Sequence, residues 1–106
     1  MILVTSDDIP GKRIVKTLGL VKGNTVRSRS IGHDIMAFIR SMIGGEVTDY
    51  TKMMAESREQ AVDRMAEEAR RLGANAVTAV RFTMATILQG GSEMLAYGTA
   101  VIIEDE

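Results

Sequence analysis

Between Asp49 and Leu72 apolar residues return at the period of an α-helix, and the stripe they make is one-sided. At about 100° per residue Met54, Ala61, Met65, Ala69 and Leu72 share one face, with Ala55, Val62 and Ala66 beside them. Lys52, Glu56, Glu59, Asp63, Glu67 and Arg70 lie opposite. Such a helix is about 35 Å long at 1.5 Å per residue, and it cannot bury a single stripe by itself. It needs a second layer to lie on. One residue breaks the pattern, because Arg58 projects near the middle of the apolar arc. A guanidinium does not give up its proton. If the stripe is buried, Arg58 must therefore find acceptors inside the protein, across a subunit boundary or on a ligand.

The rest of the chain supplies the second layer. Ile2 to Thr5 is a short apolar run ended by Ser6-Asp7-Asp8 and the turn signal Pro10-Gly11, and reads as a first strand. Arg13 to Lys22 is β-branched and alternating, with Ile14, Lys16, Leu18 and Leu20 on one side and Val15, Thr17, Gly19 and Val21 on the other. Both sides are half apolar, so a neighbouring subunit is a candidate cover for one of them. Gly23-Asn24 reads as the break that ends this strand, followed by a polar stretch from Thr25 to Ser30. Ile35, Phe38, Ile39, Met42 and Ile43 then predict a first helix, with Gly44-Gly45 as its stop. The long helix opens at Thr48 or Asp49 and closes with Arg70, Arg71 and Gly73, each favourable to the end it occupies.

After Gly73 the period becomes two. Ala76 to Ile87 carries Val80, Phe82 and Met84 on one face and Val77, Ala79, Arg81 and Thr83 on the other. Gln89-Gly90-Gly91-Ser92 turns the chain, and Met94 to Ile103 returns as the second arm of a hairpin. The order β-β-α-α-β-β predicts a two-layer α+β subunit, an antiparallel-rich sheet with two helices against it, in one domain spanning residues 1–106.

Composition narrows the function classes. With 45% hydrophobic and 25% charged residues and a net charge of −1, the chain has the make-up of a folded domain, and no apolar run approaches the roughly 18 residues of a membrane span. The start lacks a signal-peptide pattern, so the cytoplasm is the expected compartment. Zero cysteines remove disulfide, thiolate-metal and cysteine-nucleophile chemistry together. Residues 1–29 hold six Lys or Arg against two Asp, a strip that could meet phosphates. No aromatic side chain lies among them to stack on a base, which argues against nucleic acid.

Gly44-Gly45, Tyr50, Arg58 with Ala61, Met65, Ala69, the run Gly73-Ala74-Asn75-Ala76-Val77 and finally Gly98-Thr99-Ala100-Val101 together resemble the YbjQ-like family of small bacterial and archaeal proteins, over about residues 2 to 103. That family carries a heavy-metal-binding label and no established reaction. The resemblance implies a two-layer α+β subunit that assembles into a ring, typically a pentamer. It also gives Tyr50 and Arg58 a context, as motif positions two turns apart on one helix, bonding across a helix pair or a subunit contact.

The metal label finds few donors here. The single histidine, His33, adjoins Asp34 near a helix start, short of the three or four ligands of a zinc site. Eight methionines offer soft thioethers, but Met54 and Met65 on the long helix, Met36 and Met42 on the shorter one, and Met84 and Met94 on the hairpin arms are distributed as core filler. Asp7, Asp8 and the tail Glu104-Asp105-Glu106 read as solvated ends. Glu67 and Arg71 are spaced as an i,i+4 pair. Arg27-Ser28-Arg29-Ser30 reads as a polar loop before a helix start, with an anion site as the lesser alternative. Without a serine or threonine set beside a base, and with no phosphate loop after either double glycine, no catalytic constellation stands out.

The expectation is a non-enzymatic structural or binding protein working as a homo-oligomeric ring, most simply a pentamer, with no cofactor and no resident metal. Arg58, Tyr50 and Arg40 are the candidates for assembly or ligand contacts. The alternative is a small-molecule or metal-ion module whose site is completed by the ring.

Overall fold

The computed structural model describes residues 1–27, 48–86 and 92–106. Among these are four strands and one helix: β1 (Ile2–Leu3), β2 (Lys12–Arg27), α1 (Thr48–Arg71), β3 (Ala76–Thr86) and β4 (Ser92–Asp105). The sheet runs β1-β3-β4-β2. β4 is antiparallel to both of its neighbours, whereas β1 lies parallel to β3, with Ile2 opposite Ala76 and Leu3 opposite Val77. The α+β layering and the antiparallel hairpin match the sequence expectation. The helix expected over Ile35 to Ile43 lies outside the described residues, as do His33, Asp34 and Arg40.

Gly23-Asn24 does not break the strand. β2 is 16 residues long and passes straight through it. The glycine serves a different purpose: a Cβ at position 23 would run into the backbone of α1 at Ala61, Arg64 and Met65. Removing the side chain lets the helix lie directly on the sheet, and the surrounding Ala61, Ala69, Ala96 and Ala100, all fully buried, keep the two layers close. Val21, Met65, Val77, Val80 and Met94 fill the rest of this core.

The expected alternation fails at three places, for one reason. β2 is bulged between Ile14 and Lys16 and again between Thr17 and Gly19, where Gly19 takes φ +121°. β3 is bulged between Thr78 and Arg81. Each extra residue exchanges the two faces beyond it. Val77 and Val80, assigned to opposite faces by strict alternation, thus share the core under α1. The β3 bulge holds Ala79 at φ +54°, and its backbone N–H donates to the Ser6 carbonyl at 2.9 Å while that of Val80 reaches Val4 at 3.0 Å. The segment after β1 is stitched to the bulge.

The run after the helix has a mechanical reading. Gly73, at φ +90°, donates to Arg70, and Ala74 donates to Ala69, the paired bonds that close a helix through a left-handed residue. Asn75 then behaves as a false strand residue. Its side-chain Nδ2 donates to the Ile103 carbonyl at 2.9 Å and its Oδ1 accepts from the Ile103 backbone N–H at 2.7 Å. A second, smaller apolar cluster, Ala76, Val101 and Ile103 with Ile9 against it, closes this end of the sheet.

Candidate functional site

α1 is fastened along one of its edges. Thr25 and Ser57, each 2% exposed, share a hydroxyl–hydroxyl hydrogen bond of 2.6 Å, and Arg64 Nη1 donates to the Asn24 carbonyl. Both links run to β2. Arg58 follows Ser57 by one position and so projects about 100° further round the helix axis. The helix covers β2 and β4 and barely reaches β3. On that uncovered strip Phe82 is 48% and Met84 57% exposed.

Arg58 is itself exposed, although the stripe around it is buried. The periodicity puts it on the apolar arc, yet its side chain stays in the open. Its demand for internal acceptors therefore does not arise within a single chain. The polar residue that does enter the core is Ser57, which the apolar pattern passed over because a serine is uninformative about burial. Leu72, assigned to the stripe, is 47% exposed where the helix ends. Tyr50 is in the first turn of α1, about 12 Å along the axis from Arg58; its side chain lies outside the described residues.

The charged ends of the chain meet at the far end of the sheet. Register sets Lys12 opposite Asp105 and Arg13 opposite Glu104, and each pair forms a salt bridge, the second at 3.2 Å. The hydrogen bond from Lys12, reinforced by its charge, holds the Asp105 carboxyl below the usual aspartate range. Two of the six basic residues near the N terminus are thus engaged by the acidic tail. Asp8 and Glu106 face the same open hollow of about 690 Å³ as Lys12 and Arg13, a balanced surface rather than an acidic chelate. Among the described residues of the helix, Arg70 pairs with Glu67 at 3.4 Å, an i,i+3 pair, in place of the expected Glu67 to Arg71.

Among the described residues no three His, Cys, Asp or Glu side chains converge as metal ligands. Soft thioethers are a different matter. The register of the hairpin sets Met84 directly opposite Met94, and Met54 packs against the cluster that contains Met94.

The described residues define a class: a small α+β domain, one helix laid on a four-stranded mixed sheet, with an open flank beside β3. The chain belongs to the YbjQ-like family, whose model, described as "Putative heavy-metal-binding", matches residues 1–104. A UPF0145 protein of Dehalococcoides mccartyi is 52% identical over 104 residues, covering 98% of this chain and all of that one. A UPF0145 protein of Methanosarcina acetivorans is 50% identical over 103 residues, covering 97% of each. Among solved structures, a protein of unknown function of the DUF74 family from Pediococcus pentosaceus superposes with a TM-score of 0.68 over 98% of both chains at 15% identity, a likeness of fold alone. No described helix is long and apolar enough to cross a membrane.

Proposed function

We propose that this chain is a non-enzymatic structural or binding subunit that works as a homo-oligomer, with a five-membered ring as the form its family resemblance implies. One observation carries the reading: β2 leaves large apolar side chains in the open, with Leu20 69%, Val26 52% and Val15 43% exposed, on a strand whose outer edge pairs with no other described strand. Large apolar side chains exposed along an open sheet edge suit a contact with another protein surface.

Native mass spectrometry of the untagged protein is the test. The expected result is one closed multimer, broken to smaller species by Leu20→Lys combined with Val26→Lys. A monomer at micromolar concentration overturns the reading. The exposure of Arg58 favours a second reading, in which the assembled ring completes a small-molecule or metal-ion site that draws on Arg58, Tyr50 and Arg40. A reproducible extra mass on the multimer would select it.

A further inference from the structure

We propose that Met54, Met84 and Met94 form a thioether site for a soft monovalent cation of the Cu(I) class, at the open mouth between α1 and β3. Sequence alone places Met84 and Met94 on different arms of a hairpin and leaves their register undetermined. The structure makes them Cα partners. Directly opposed residues of an antiparallel pair hold their Cβ atoms about 4.5–5.5 Å apart on one face of the sheet, within range for two flexible thioethers to converge on one ion.

The third donor comes from the helix. Thr25 is the β2 partner of Met94, and its hydroxyl is bonded to Ser57. Met54 lies one helical turn before Ser57 and packs against the core cluster that Met94 joins. The three side chains span a gradient of exposure that suits capture of an ion from solution. Met94 is 8% exposed, Met54 is half-buried and Met84 is 57% exposed. A large apolar residue with that exposure contributes little to a core. Neutral sulfur ligands favour a soft monovalent ion, whereas Zn²⁺ prefers thiolate, imidazole and carboxylate donors. The site lies within one chain and does not depend on assembly.

The test is a titration of protein carrying ¹³C-methyl methionine with Ag(I), a redox-inert stand-in for Cu(I), with Zn²⁺ as the comparison. Each methyl resonance is assigned by a Met→Leu substitution. The expected result is that about one equivalent of Ag(I) shifts the Met54, Met84 and Met94 methyls, leaves the fully buried Met65 in place, and is not reproduced by Zn²⁺. Met84→Leu with Met94→Leu, whose fold is checked by circular dichroism, should weaken Ag(I) binding by at least tenfold. Unchanged affinity in a folded double variant, or shifts confined to other methionines, overturns the assignment.

Discussion

Asn75 shows how much one side chain can carry in this fold. Its amide supplies both a donor and an acceptor to Ile103 and thereby extends the pairing of β4 past the first residue of β3. Asn75→Ala removes both bonds and leaves part-buried backbone groups unpaired, so a loss of about 1–3 kcal/mol is expected in urea unfolding. Asn75→Asp should fare little better, because it cannot donate to the carbonyl. Gly23 is the counterpart in the layer contact. Gly23→Ala drives a methyl into helix backbone that has no rotamer by which to move aside, and a cost of about 1–3 kcal/mol or more follows, read by the same unfolding measurement. Replacing the exposed glycine at position 11, which meets nothing within 4 Å but takes φ +82°, would test backbone strain separately.

At the scale of elements, the long helix and the terminal hairpin were legible because their periods persist over many residues and because Gly73 ends one period before the other begins. What escaped was the placement of single extra residues. No hydropathy pattern distinguishes a bulge at Leu18 or Ala79 from uninterrupted alternation, so the faces of Val77 and Val80 came out opposed. Gly23 was misread for a related reason: a glycine that breaks a strand and a glycine that admits a helix look alike until the helix is in place. Of the candidate site, Arg58 lies on the apolar arc and yet is exposed, and exposure is a tertiary fact that periodicity does not carry. The facing of Met84 and Met94 likewise depends on hairpin register. The strand ends offer their own test. With the Asp105 carboxyl held low by Lys12, the stability it lends is present above the ordinary aspartate pKa of about 3.9 and fades as pH falls through its lower folded value. An NMR titration should place the Asp105 midpoint below the ordinary aspartate range, and Lys12→Met should return it to that range. Added salt should act in the same direction as that substitution, since both groups are solvent-accessible.

For the whole molecule, the proposed assembly would tie folding to association. A subunit that completes its cover only against copies of itself should melt at a temperature that rises with protein concentration. Differential scanning calorimetry over a hundredfold dilution range checks this, and a concentration-independent midpoint would detach stability from assembly. The one-sided fastening of α1 has a consequence of a different kind. β2 and β4 are clamped between the helix and each other, while residues 81–86 of β3 have β4 on one edge, no described strand on the other, and little helix above. Amide protons there can exchange by local opening of that stretch, without waiting for global unfolding, whereas those of Ala96 to Val101 must wait for the whole domain to come apart. The subunit therefore has a hard half and a soft half, divided along its length, and whatever it binds at the open flank meets the half that is free to adjust.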